Sequence, residues 1–428
     1  LLLHLAKGLV VHGRTVAARG ATRRDTSLGL LDEGQASLGI ALSLDEPRSA
    51  ALAKRMPPRV LTLPELNRAT LARQLLLEPA AIGVVEAIDR LAGLQAQQAR
   101  PPFIGLWTRL VGLEREQLAR ALEERSVVRA TAMRGALLVL GAEQFQRLRP
   151  ALQPALDKGV KMMRSRIAGI DLALVVEQAR EHFARGPATF ETLRDHLLAL
   201  HPGADERAIA YVVRCTLPLV QVPVADASWC FPPAAEFALA DRWLAGLEVA
   251  KAEAGEASDP ADTRALVRTY LAAFGPASVA DAQAWSGLSS LKSTFAALAP
   301  ELESFRDERG RQLFDLPDAP RPSAQTRAPV RLLPEFDNLV LAHDDRSRVI
   351  ADEHRKLVVS KNLLVAATFL VDGAVAGTWK VTRAKRVATS TFTPFAALTK
   401  RVRDELSGEA KRLLGFIEPE AEPAIAFA

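Results

Sequence analysis

Val127-Val-Arg129-Ala-Thr-Ala-Met133-Arg134-Gly135-Ala136-Leu-Leu-Val-Leu140 reads as a strand, a turn and a second strand. Runs rich in valine, leucine and alanine, broken by a glycine turn, are the signature of a buried two-stranded ribbon. Three helices are expected upstream: Glu65–Glu78, Ala80–Gly93 and Glu114–Glu124. Thr62 with Glu65 forms a capping box for the first, with Pro64 in its opening turn. Phe103–Leu110 is compatible with helix or strand. Three helices followed by a ribbon describe a winged helix, which is assigned to residues 59–170.

The same turn chemistry recurs twice. Gly186-Pro187-Ala188-Thr189-Phe190 and Gly275-Pro276-Ala277-Ser278-Val279 each cap a helix, an internal repeat. The first opens a second unit, residues 171–246, with helices to Leu200 and over Asp205–Cys215. Its hairpin is expected from Leu219–Val224 and Ser228–Phe231 around Asp226. The second repeat opens a third unit, residues 263–327, with a helix at Ser289–Ala299 and a hairpin turning at Arg309-Gly310. The acidic, alanine-rich stretch 247–262 reads as a linker. Residues 328–416 are strand-rich, with runs at Val330–Leu341, Leu364–Val371 and Val375–Val381. Asp372-Gly373 is a hairpin signal, and Pro394–Gly408 a terminal amphipathic helix. Residues 417–428 read as a loose tail, and 1–58 as a disordered or artefactual extension. The fold class is therefore α+β, mainly helical, with three tandem winged-helix units and a C-terminal strand-rich region.

The chain has 428 residues, 49% of them hydrophobic, and a formal net charge of +5, the composition of a water-soluble globular protein. No stretch has the length and apolarity of a membrane-spanning helix. Cys215 and Cys230 are the only cysteines, too few for a disulfide framework, which points to a reducing cytoplasm. His343-Asp344-Asp345 and Asp352-Glu353-His354 lack a recognised ligand spacing and read as ion-pair networks around Arg346, Arg348 and Arg355. No metal or other cofactor is expected.

Two segments concentrate positive charge. From Arg125 to Arg166 nine basic residues stand against Glu143 and Asp157, and from Lys380 to Arg403 there are seven and no acid. Beside winged-helix units, such clustering is the footprint of phosphate contacts. Arg129, Arg134, Lys161, Arg164, Arg166, Lys380, Arg383, Lys385 and Arg386 are the candidate DNA contacts. A solvated surface is the competing reading of either run alone.

The remaining oddity is Leu91-Ala-Gly-Leu-Gln95-Ala-Gln97-Gln98, where a helical stripe of Val84, Val85, Ile88 and Leu91 runs into Gly93 and then Pro101-Pro102. In extended backbone, residues two apart share a face. Gln95 and Gln97 are thus expected to project together from a helix-to-loop junction. The plain alternative is that Gln95 caps the helix end.

A set of short strings carries a family resemblance: Leu66-Asn67-Arg68-Ala69-Thr70-Leu71, Gly93-Leu-Gln95-Ala-Gln97, Gly105-Leu106-Trp107, Val128-Arg129 with Met133-Arg134-Gly135, Leu217-Pro218-Leu219, Phe336-Asp337-Asn338 and Gly377-Thr378-Trp379-Lys380. In this order, from about Leu61 to Leu414, the chain resembles the winged-helix family that contains the AlkZ- and YcaQ-like alkylpurine and interstrand-crosslink DNA glycosylases. The resemblance implies a monomer acting on duplex DNA, associated with the nucleoid, with no obligatory protein partner. It also implies excision of N7- or N3-alkylated purines, with Gln95 and Gln97 as the catalytic pair, since the family motif is glutamine, an aliphatic residue, then glutamine or aspartate. The family carries threonine and histidine just after Met-Arg-Gly; this chain has Ala136 and Leu138 there. A non-catalytic DNA-binding protein or regulator on the same repeats is the alternative.

Overall fold

The computed structural model describes residues 58–246 and 260–428 of the chain. The expected N-terminal extension, apart from Pro58, and most of the expected linker lie outside them. Pro260 already opens a helix, Pro260–Phe274, so the last residues assigned to the linker are helical.

The first helix is Leu63–Arg73, and Thr62 and Glu65 make the expected reciprocal capping box. Val84–Arg90, Pro101–Trp107 and Arg115–Glu123 follow, so there are four helices, not three, before the ribbon. Of Phe103–Leu110, Phe103–Trp107 is helix, and Leu110 makes an isolated bridge to Ala80. Pro101 and Pro102 occupy the first turn of that helix, where a missing N–H costs nothing. The ribbon is Val127–Thr131 with Leu137–Gly141, its register pairing Val127 with Gly141 and Thr131 with Leu137.

The ribbon does not stand alone. It lies in a six-stranded sheet with the spatial order Leu94–Gln95, Leu137–Gly141, Val127–Thr131, Leu219–Gln221, Glu236–Leu239 and Ala188–Thr189. Leu219–Gln221 therefore pairs with Glu236–Leu239, not with Ser228–Phe231 as expected. Ser228–Cys230 forms a short 3₁₀ turn, because consecutive left-handed residues, Trp229 (φ 56°) and Cys230 (φ 64°), preclude a strand there. Thr189 and Ser278 both cap their helices through the side-chain oxygen, as the repeat implied.

In the third region Glu303–Asp307 and Gln312–Asp315 form an antiparallel pair. Val60–Leu61 adds to it in parallel, so the start of the described chain docks on a ribbon some 240 residues downstream.

The C-terminal sheet has five strands: Arg331–Leu333, Thr368–Val371, Ala374–Ala384, Val387–Pro394 and Glu422–Phe427. Three expectations are corrected here. The strand expected at Val330–Leu341 is three residues long and gives way to a 3₁₀ turn at Asn338–Val340. The terminal helix is Lys400–Ile417, because Val387–Pro394 is strand. The tail is not loose: Glu422–Phe427 pairs in parallel with Val387–Phe392. At the Asp372-Gly373 turn, Gly373 has φ +80°, and a Cβ there would lie 2.5 Å from the Asn67 Oδ1. Only glycine lets that turn close on the first helix. Val402, Leu406, Leu413 and Leu414 of the last helix pack on Phe369, Trp379 and Phe392, and Ile104 of the helix Pro101–Trp107 enters the same core. Among the described residues no helix is long and apolar enough to cross a membrane, and no group of three or more His, Cys, Asp or Glu side chains is placed to hold a metal ion.

Candidate active site

The helix Val84–Arg90 ends abruptly. The Ala92 N–H donates to the Asp89 carbonyl and the Gly93 N–H to the Ile88 carbonyl, a Schellman closure. Ala92 (φ 55°) and Gly93 (φ 84°) are both left-handed, and a Cβ on Gly93 would sit 2.5 Å from the Leu140 Cδ2. The backbone itself satisfies the helix end, so Gln95 has no capping role. The chain leaves the turn as the edge strand Leu94–Gln95, pairing Leu94 with Val139 and Gln95 with Leu138, and the Ala96 N–H donates to the Leu137 carbonyl at 2.7 Å.

Side chains then alternate. Leu94 and Ala96 enter the core with Ile88 and Leu91, while Gln95 and Gln97 stay half-buried. The buried amides of Gln74 and Gln144 each donate to a backbone carbonyl. Among the described residues nothing holds the side-chain amide of Gln95 or Gln97. Both amides thus lie on one short stretch without a hydrogen-bond partner among the described residues.

That stretch is pinned at both ends. Asn338 Nδ2 donates to the Gly93 carbonyl. Arg129 reaches from the second strand over and donates to the Ala96 carbonyl through Nε (2.9 Å) and Nη2 (2.6 Å), with a longer contact to the Gln97 carbonyl. Arg129 is 6% exposed, and burial with no carboxylate at hand pushes its pKa down to about 10. The expectation that Arg129 contacts DNA meets a side chain nearly sealed from solvent that gives Nε and Nη2 to the protein interior. Arg134 is half-buried, and its guanidinium donates to the Ala284 and Trp285 carbonyls at the end of the helix Val279–Ser286, a favourable site for a cation. Periodicity conveys residue type and not the partner, so both arginines looked like surface charge.

The remaining candidates are exposed and fall into two groups. Lys161, Arg164 and Arg166, with Lys158, surround the end of the helix Ala142–Lys161; Arg166 lies 3.9 Å from Asp205. Lys380, Arg383, Lys385 and Arg386 lie along the far half of the hairpin Ala374–Pro394, with Arg383 paired to Glu418 at 2.8 Å. Asn338 and Phe231, which bear on the glutamine strand, escaped the sequence reading of the site. Only the string Phe336-Asp337-Asn338 hinted at the first.

Residues 88–416, about three quarters of the chain, match the family described as DNA glycosylase AlkZ-like. The chain belongs to the AlkZ-like DNA glycosylase family. The match spans the glutamine strand, both pinning residues and both exposed basic groups. A relative described as an interstrand DNA cross-link repair glycosylase, from Streptomyces sahachiroi, is 26% identical over 324 residues, covering 71% of this chain and 84% of its own. The solved structure of the DNA glycosylase AlkZ of Streptomyces sahachiroi superposes with a TM-score of 0.69, covering 86% of this chain and all of that one at 19% identity. The α+β architecture described above is thus that of AlkZ-like proteins, a family of N-glycosyl hydrolases with DNA as substrate.

Proposed function

We propose that the protein is a monofunctional DNA glycosylase that hydrolyses the N-glycosidic bond of N7- or N3-alkylated purines, interstrand crosslinks included, in duplex DNA. The observation that carries this reading is the pair of amides, Gln95 and Gln97, unpartnered among the described residues, on a short stretch fixed at Gly93 and Ala96 in a chain of this family. A glutamine is no general base at neutral pH. The reaction proposed needs none strongly, because alkylation at N7 or N3 makes the purine cationic and a good leaving group. The C1′–N9 bond breaks with both electrons going to the base, which departs neutral. The oxocarbenium-like sugar accepts a water oxygen, and the water's proton passes to solvent. Preorganised dipoles stabilise such developing charge. In this mechanism Gln97 positions the water, and Gln95 orients it or contacts the lesion.

The three helix-and-ribbon regions are read as winged-helix units that present the duplex, with phosphates met by Lys161, Arg164, Arg166, Lys380, Lys385 and Arg386. The test is abasic-site formation in duplexes containing N7-methylguanine. The Gln95→Ala/Gln97→Ala double variant is expected to bind the duplex with wild-type affinity and to form product at least about 100-fold more slowly, the scale of lost oxyanion-type donors. Unchanged excision by that variant sinks the proposal. One observation favours a second reading, a non-catalytic DNA-binding protein or regulator. Leu138, directly opposite Gln95 in the sheet, brings an apolar side chain where the family resemblance implies histidine. Duplex binding without product at any lesion is the outcome that supports it.

A further inference from the structure

We propose that Arg129 is a positioning residue for the Gln95–Gln97 segment, and that Phe231, from the connection between Leu219–Gln221 and Glu236–Leu239, holds it in place. This rests on the glycosylase reading and deepens it. Burying a guanidinium without a carboxylate is costly. The offset comes from the Ala96 carbonyl, which takes two of its donors, and from the Phe231 ring, whose centroid lies 4.8 Å from the guanidinium carbon. Leu94–Gln95 is only two residues long and lies at the sheet edge, and its ladder ends with the Ala96 N–H on the Leu137 carbonyl, so it fixes little beyond that amide. The peptide between Ala96 and Gln97 sets how Gln97 lies relative to Gln95, and the Ala96 oxygen of that peptide is what Arg129 grips. A lone neutral donor would hold that oxygen from one direction; the guanidinium holds it with two donors, Nε and Nη2, that converge on it. Phe231 belongs to the region that follows the ribbon, so the glutamine strand is braced by a neighbouring part of the chain.

Positioning errors of about 1 Å cost on the order of 100-fold in rate without touching binding. Arg129→Met is therefore expected to slow single-turnover excision of N7-methylguanine by about 10–100-fold, with duplex Kd and its salt slope unchanged. Arg129→Lys restores part of the rate, since an ammonium supplies a donor without the fork. Phe231→Leu loses less, and adding it to Arg129→Met costs nothing more. Hydrogen exchange gives a readout independent of turnover. The Ala96 amide loses protection at least about 10-fold in Arg129→Met, while Val128 and Leu140 in the ribbon keep theirs. If the wild-type protein forms no abasic sites but the exchange result holds, the glycosylase reading fails and the bracing role stands. Wild-type rates and wild-type Ala96 protection in Arg129→Met overturn the proposal. So does a weaker Kd with a salt slope reduced by about one, which makes Arg129 a phosphate contact.

Discussion

Arg109 and Asp337, 228 positions apart, form a two-pronged ion pair sealed from solvent, with Nη1–Oδ2 at 2.9 Å and Nη2–Oδ1 at 2.8 Å. The guanidinium also donates to the Gln74 and Gly105 carbonyls, and Asp337 Oδ1 accepts the Leu339 N–H. Asn338, which holds the Gly93 carbonyl, is the next residue. The pair therefore ties the C-terminal region to the helix Pro101–Trp107 and places one of the two pins on the glutamine strand.

Removing one partner leaves the other charge buried and unpaired. Asp337→Ala is expected to cost about 3–5 kcal/mol, and Arg109→Met a similar amount. The double variant should be less destabilised than the sum of the two, because no orphaned charge remains. Denaturant unfolding of the four proteins checks this; a single-variant loss under about 1 kcal/mol would show that the pair is not a structural tie.

Asp89 supplies a pH dependence of opposite sign to the usual carboxylate. It borders an open cleft of about 580 Å³ with Arg90, Gln144 and Arg147, and its Oδ1 is buried without a hydrogen-bond partner. Burial pushes its pKa up to about 6, Arg147 pulling the other way and Glu143 adding to the rise. The folded state thus holds this proton more tightly than the unfolded chain, whose carboxyl titrates near 4. Between about pH 4 and pH 6 the contribution of Asp89 to stability falls as pH rises. Asp89→Asn is expected to melt above the wild type at pH 8, the gap closing as pH approaches 4. A pH-independent difference in Tm, or one that widens in acid, contradicts the assignment.

The exposed cations predict a measurable electrostatic signature. Neutralising Lys380, Lys385 and Arg386 to glutamine should reduce the slope of log Kd against log salt for duplex binding by about three, roughly one for each phosphate no longer neutralised. The same change at Lys158, Lys161 and Arg164 tests the helix-end group. Melting temperatures should hold in both, since these side chains are exposed and make no ion pair among the described residues. Slopes that match wild type in both triple variants would move the DNA face elsewhere.

Local chemistry was legible where neighbours in sequence supply the partner. Thr62 and Glu65 are three residues apart, Thr189 and Ser278 cap the helix that follows them, and Asp372-Gly373 closes a turn between adjoining strands. The ribbon of residues 127–141 and the break at Gly93 were readable for the same reason. Glu422–Phe427 was not. Its glutamate, proline and alanines look like a tail, and only the free edge of Val387–Pro394 makes it a strand. Charged residues were the hardest to place: Arg73 pairs with Asp315, Arg109 with Asp337 and Arg129 with the Ala96 carbonyl, all buried. A guanidinium in sequence looks the same whether it ends in water or in a fork around a carboxylate.

By itself, then, the amino-acid sequence determined the α+β class, the helix caps, the ribbon and the break in the helix before Gln95, because capping, turn chemistry and alternation act over a few residues. Tertiary structure alone decided that the ribbon joins a six-stranded sheet, that Leu138 faces Gln95, and that Arg129 and Asn338 grip the strand between them. Those bonds join side chains to backbone carbonyls 33 and 245 positions away, a pairing that hydrophobic periodicity does not encode and that only the folded chain brings within hydrogen-bond distance.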